Sequence, residues 1–338
     1  MKHKNIYNSD YIPYLDGWRG LAIIGVLYAH FVPLGNSNWL GSFGVDLFFV
    51  LSGYLMGEVL FIKRQRLDAF FIRRFSRIFP VFFIYLLIAF TAANIINDKL
   101  YSISLIELLS TLTFMRSYLP FEPSIWSAQW SIGHIWSLNI EEHTYILLAM
   151  FAFCSKGKSH AYVLRLLGLS ILMTFIFRYF YIINLIEAKS DFTLYSHVAA
   201  YAILVSVFFR LLVEWKYDFF MTKNLKSIVS IMSFVTAVLV SSPIIGKPIL
   251  TPILLGISIT YFDANPKFFT DILSIKLFRF FGKASFSLYV WQQIFHENID
   301  NKFYGLCLAL FIGFLSYAMI ENPLRRLINR KYTTKNPI

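Results

Sequence analysis

Apolar runs of near-spanning length recur along this chain from Leu21 to its C-terminus, separated by short polar stretches. Hydrophobic residues make up 57% of the 338 positions and charged residues only 15%, whereas a soluble domain carries about 25% charged residues. A fold surrounded by water would lack polar surface at this composition. The pattern therefore predicts an all-α polytopic membrane protein whose apolar runs cross a bilayer as helices.

Hydropathy places about ten spans, and no part of the chain reads as a separate soluble domain. The predicted spans lie near residues 14–34, 43–62, 78–97, 136–154, 162–183, 192–213, 227–245, 248–262, 280–297 and 303–320. Ile103 to Met115 falls short of the roughly 18 apolar residues that a crossing needs, and it contains Glu107. We therefore expect residues 1–338 to form one integral membrane domain, with no appended extracytoplasmic domain.

The distribution of positive charge predicts the orientation. If Ile103 to Met115 does not cross, most of the 31 Lys and Arg residues fall in the termini and in alternate loops, which the positive-inside rule assigns to the cytoplasm. The N- and C-termini are then cytoplasmic, residues 98–135 form one external loop, and the protein lies in the cytoplasmic (inner) membrane. Topology also accounts for the net charge of +12 without a nucleic-acid partner.

Ionisable residues inside predicted spans are costly and mark functional or pairing sites. Arg19 and His30 are eleven residues apart, so they share one face of the first span at depths about 16 Å apart. An equally good interpretation is that Arg19 snorkels to the membrane interface and that His30 is a hydrogen-bonded core residue.

Three carboxylates are predicted near the depth of His30. Asp46 begins the second span from the outer side, and Glu141 and Glu142 begin the fourth span from the same side. A carboxylate beside an imidazole fixes its tautomer and supports it as a general base, which alcohol activation requires. His30, Asp46, Glu141 and Glu142 are therefore the predicted catalytic residues.

Basic residues precede the third span on the predicted cytoplasmic side. Arg73, Arg74 and Arg77 have helical spacing and can bind a phosphorylated donor by charge-assisted hydrogen bonds. Basic loops are also typical of membrane topology and of contacts with anionic lipids, and charge alone does not separate the two interpretations.

Six elements, in order, resemble the acyltransferase 3 family, whose members are polytopic enzymes that O-acylate carbohydrates. Arg19 and His30 match its Arg-x10-His signature, and the resemblance covers Tyr14 to Arg326. The matching elements are residues 15–22, 43–54, 73–80, 134–145, 281–291 and 321–325. The chain departs from the family pattern at Gln292, where a histidine is common, and after Ser196-His197.

The resemblance implies acyl transfer from cytoplasmic acyl-CoA, most often acetyl-CoA, to a hydroxyl of a cell-surface, exported or lipid-linked carbohydrate. Arg19, Arg73, Arg74 and Arg77 would hold the donor, and no metal is expected. A separate extracytoplasmic relay protein is a further expected partner, because family members may carry an appended hydrolase-like domain that relays the acyl group. The competing interpretation is a transporter or flippase of lipid-linked sugars or small solutes, in which the same charges line a pathway.

Overall fold

A computed structural model describes residues 11–32, 37–95, 103–120, 132–188, 191–215, 221–245 and 248–335. Every regular element in these residues is helical, which confirms the all-α prediction. The first half contains α1 (Pro13–Phe31), α2 (Asn38–Met56), α3 (Leu67–Ile95), α4 (Leu105–Leu112), α5 (Trp136–Cys154) and α6 (His160–Ile182). The second half contains α7 (Ser196–Ala199), α8 (Tyr201–Glu214), α9 (Lys223–Ser241), α10 (Thr251–Thr260), α11 (Lys267–Leu273), α12 (Lys276–Asn298), α13 (Lys302–Ser316) and α14 (Asn322–Lys335).

Helix length and composition identify a membrane protein. Within the described ranges, six helical stretches are long and apolar enough to cross a bilayer: Asn38–Ile62, Leu67–Ile95, His160–Ile182, Ser196–Glu214, Lys223–Ser241 and Lys302–Lys331. Each of the ten predicted spans overlaps a helix. The ten residues of α10 extend only about 15 Å, half of a hydrocarbon core, so the number of crossings stays a prediction.

The segment predicted not to cross contains only the short helix α4. Its eight residues extend about 12 Å, too little to span the membrane. Ser104 and Glu107 cap its N-terminus reciprocally, and Glu107 is also buried in an ion pair with Arg116 at 3.1 Å. The opposite face exposes apolar residues such as Leu105 and Ile106. This helix thus buries its polar face in the protein and turns its apolar face outward.

The first helix occupies the centre of the bundle, where it packs on α2 and α12. The backbones of α1 and α12 approach closely at Gly20 and Gly282. A Cβ atom at Gly282 would lie 1.8 Å from the carbonyl oxygen of Asp16 and 3.1 Å from the amide nitrogen of Gly20. Apolar residues such as Ile23 and Leu288 fill the same interface. Only glycine at these positions permits this crossing, which determines where the polar residues of α1 lie.

Gly282→Ala should therefore destabilise the bundle. The added methyl group cannot fit without separating α1 from α12, and overpacking of this kind typically costs about 1–3 kcal/mol. We expect a lower thermal midpoint in detergent, followed by fluorescence-detected size exclusion. Gly168→Ala in α6 is the matched control, because a Cβ atom there meets nothing within 4 Å. Equal midpoints for the two variants would contradict the close crossing.

Candidate active site

Three of the four predicted donor-binding arginines line one narrow cavity. Arg19 comes from α1, and Arg74 and Arg77 come from α3. The cavity has a volume of about 90 Å³, and Ser52, Glu141 and other polar side chains complete its wall. The helical spacing of the basic motif thus brings two of its arginines to the face that meets α1.

Arg74 is paired with two carboxylates. Its Nη2 donates to Glu141 Oε2 at 2.5 Å and its Nε donates to Glu142 Oε1 at 2.8 Å. The guanidinium also lies 3.9 Å from the ring centroid of Tyr145, whose hydroxyl donates to Glu141 at 3.1 Å. Ser52 donates to the other Glu141 oxygen at 3.3 Å. Arg74 therefore holds the two carboxylates of α5 in place, and they compensate its charge.

Arg77 and Arg19 are different, because neither forms a short ion pair with a described residue. Arg77 interacts with the buried carboxylate of Glu321 only electrostatically, without a hydrogen bond, and the contact of Arg19 with Asp16 is long, at 3.5 Å. Two guanidinium groups that share a cavity repel each other unless an anion lies between them. This cavity therefore has the charge and the free donors to bind an anionic group.

The fourth arginine, Arg73, lies elsewhere. Its side chain is exposed and donates to Gln65 at 3.3 Å, and it does not line the cavity. A donor-binding role for Arg73 thus depends on its charge alone.

A second cavity, of about 270 Å³, contains His30 and Asp46, as the depth argument predicts. His134, Trp136 and Gln293 also line it. Glu141 and Glu142 do not join this group: they pair with Arg74, and Glu141 lines the arginine cavity. The prediction from depth therefore holds for Asp46, which shares a cavity with His30, but not for Glu141 and Glu142, which lie outside that cavity.

Hydrogen bonds along α12 determine the tautomer of His30. The carboxylate of Glu297 can only accept, so the amide nitrogen of Gln293 donates to it at 2.5 Å. The amide oxygen of Gln293 then accepts from the amide nitrogen of Gln292 at 3.2 Å. The oxygen of Gln292 then faces His30 Nδ1 at 2.6 Å. Nδ1 must carry the proton, which leaves the Nε2 lone pair free to accept one. His30 is thus arranged as a base.

The partner of His30 is therefore Gln292 and not Asp46. The sequence marks Gln292 as a departure from the family pattern, but the pairing of Gln292 with α1 has no local signature. The ring of His296 stacks on His30, with centroids 4.7 Å apart, and further limits its rotation.

Tyr289 lies where the two cavities meet, and it lines both of them. Its hydroxyl donates to the carbonyl oxygen of His134 at 2.7 Å and accepts from Ser137 at 2.8 Å. A molecule that extends from Arg77 to His30 must pass this ring. Tyr289 belongs to the family element at residues 281–291, but nothing in the sequence assigns it a role.

Comparison with known proteins identifies the family of the chain. A family model described as an acyltransferase domain matches residues 12–325. A peptidoglycan O-acetyltransferase of Listeria monocytogenes is 25% identical over 96% of the chain, and an O-acetyltransferase of Staphylococcus aureus is 23% identical over 96%. The chain spans 58% of the length of each relative. None of the solved structures matches significantly. The family match covers nearly the whole chain, including every residue of both cavities, and the chain therefore belongs to the acyltransferase 3 family.

Proposed function

We propose that this chain is a membrane-bound O-acyltransferase that moves an acyl group, acetyl in the simplest case, from acyl-CoA to a carbohydrate hydroxyl. The observation that carries the proposal is the continuity of two sites: an anion-binding arginine cavity meets, at Tyr289, a cavity that contains a histidine base. The family and the named activities of the two relatives support the same chemistry.

The arginine cavity accounts for donor binding. Arg77 and Arg19 offer charge-assisted hydrogen bonds to the phosphate groups of CoA, and the cavity is too narrow for the nucleotide itself. The nucleotide would remain at the cytoplasmic mouth, while the extended pantetheine arm follows α1 past Tyr289. This arrangement delivers the thioester to His30, which lies about 16 Å farther along the helix than Arg19.

The histidine cavity accounts for the transfer. Nε2 of His30 takes the proton of the acceptor hydroxyl, and the hydroxyl oxygen attacks the thioester carbonyl carbon. The carbon–sulfur bond then breaks, and His30 returns the proton to the departing CoA thiolate. Glu297 interacts electrostatically with His30 and favours the transient imidazolium, and Asp46 lines the same cavity. Arg74, Glu141 and Glu142 act as positioning residues, because their ion pairs hold the wall of the arginine cavity in place.

The proposal includes the orientation that the charge distribution predicts: ten crossings of the cytoplasmic membrane, both termini in the cytoplasm, and one domain over residues 1–338. Acyl-CoA would enter from the cytoplasm, and the carbohydrate would wait outside. A separate extracytoplasmic relay protein between this chain and the carbohydrate is compatible with the mechanism.

Lys156 and Glu187 test the orientation, because they flank α6 on opposite predicted sides. Cys154 and Cys307 are both exposed and must first be replaced by serine. In that background, Glu187→Cys should react with an impermeant maleimide added to intact cells. Lys156→Cys should react only after the membrane is opened. Labelling of Lys156→Cys in intact cells would contradict the orientation.

Arg77→Gln tests the donor site. Loss of a charge-assisted hydrogen bond should raise the KM for acyl-CoA about 10- to 100-fold, with the amount of inserted protein unchanged. Arg73→Gln is the matched control, since Arg73 belongs to the same motif but lies outside the cavity. An equal rise for both variants would show that the cavity does not select the donor.

His30→Ala tests the base. Removal of a positioned proton acceptor should lower kcat about 100-fold or more, while the protein stays inserted. His160→Ala is the control, because His160 stacks on Trp215 outside both cavities. O-acylation and carbohydrate export should be measured together. Persistent acylation with loss of export would overturn the assignment in favour of a transporter.

A further inference from the structure

A third cavity, of about 560 Å³, lies between α5, α6 and α8, and the proposed mechanism does not use it. Its wall is mostly apolar and is completed by α6, most of whose surface faces away from the protein. Leu169 and Met173 are 59% and 47% exposed there. In a bilayer, this cavity is a groove open to lipid. From Leu166 to Phe177 it follows α6 for about 16 Å, the length of a medium hydrocarbon chain.

The groove ends in a polar cluster formed by Tyr118, His143, Ser196 and His197. Ser196 and His197 lie in the short helix α7, which a turn at Ala200 separates from α8. Of the described residues that line the groove, none is Lys, Arg, Asp or Glu. The cluster therefore offers neutral hydrogen-bonding groups, which suit hydroxyl groups better than a phosphate.

The hydrogen bonds within the cluster leave specific groups free. The amide N–H of Ser196 can only donate, so the Tyr118 oxygen accepts from it at 3.0 Å, and the Tyr118 proton is directed to His197 Nδ1 at 3.0 Å. His197 Nε2–H then donates to Tyr181 at 3.1 Å. His197 is thereby fully engaged and holds the cluster together.

Ser196 and His143 have capacity to spare. Ser196 Oγ lies 2.7 Å from His143 Nδ1, and its hydroxyl donates there when His143 carries its proton on Nε2. Ser196 then keeps acceptor lone pairs, and His143 keeps an N–H that no described residue accepts. The Ser196 side chain is buried, with 6% exposed. Two different hydroxyl groups of one sugar can satisfy them, one donating to Ser196 Oγ and the other accepting from His143 Nε2.

The cluster also lies close to the proposed transfer site. Tyr201 begins α8 directly after the turn and interacts electrostatically with Asp46, which lines the His30 cavity. A head group held by Ser196 and His143 is thus linked to that cavity through Tyr201, five residues along the chain from Ser196.

We propose that this groove binds a neutral glycolipid, with its hydrocarbon tail along α6 and its sugar head at Ser196 and His143. The claim that this glycolipid is the acyl acceptor rests on the proposed function, whereas the claim that it binds does not. The acceptor would then enter sideways from the membrane and not from the external water.

Photocapture tests the groove without any acyl donor. The probe is dodecyl glucoside with a diazirine in its tail, added to the full chain in lipid nanodiscs, and dodecyl phosphate with the same diazirine is the matched probe. Adducts of the glucoside should map to residues 166–177 and exceed those of the phosphate probe. Ser196→Ala should lower capture about five-fold, as expected for one lost hydrogen bond.

Substitutions at Ser170 provide a second measurement that leaves the head-group cluster intact. Ser170 lines the groove and its hydroxyl bonds within its own helix at 2.9 Å. Ser170→Phe should fill the groove and abolish capture, whereas Ser170→Ala should retain it.

The proposal is overturned if the two probes are captured equally, or if capture survives both Ser196→Ala and Ser170→Phe. Acyl-CoA-dependent acylation is measured separately, with dodecyl glucoside and, in parallel, with a water-soluble sugar. If the glucoside is captured but no acceptor is acylated, the proposed function is contradicted and the groove proposal stands. If acylation occurs without capture, only the groove proposal is contradicted.

Discussion

The close crossing of α1 and α12 is the contact on which both candidate sites depend. Gly20 and Gly282 allow the two backbones to touch, and ten residues beyond each glycine lie His30 and Gln292, which share a hydrogen bond. One backbone contact therefore positions a side-chain contact about 15 Å away. Arg19 is adjacent to the same crossing, so the arginine cavity has the same origin.

Charge pairing divides the polar interior into a structural part and a part available to ligands. Arg74 forms charge-assisted hydrogen bonds to two carboxylates, and such a buried network is rigid because breaking any member leaves an uncompensated charge. Arg77, one turn away on the same helix, lacks such a partner among the described residues. Neighbouring arginines of one motif thus have opposite roles: one completes the wall, and the other presents its charge to the cavity.

The sequence predicts the helices well, because long apolar runs, helical spacing and charge bias are local properties. Arg19 and His30 do lie on the inward face of α1, and Asp46 does reach the His30 cavity. Depth along a helix does not reveal lateral position, however, so the sequence groups Glu141 and Glu142 with His30 although they pair with Arg74. The role of Tyr289 and the contact of Gln292 with His30 are not predicted for a related reason: their partners lie far away in sequence, and no periodicity records such contacts.

The amide relay that holds His30 has a consequence for proton movement. A hydrogen-bonded chain conducts protons only when each of its members can both take up and release one. Gln292 and Gln293 orient the imidazole but do not ionise, so a proton on His30 has no route along them to Glu297. The two glutamines therefore fix the orientation of the base and keep its proton separate from the carboxylate near the end of α12.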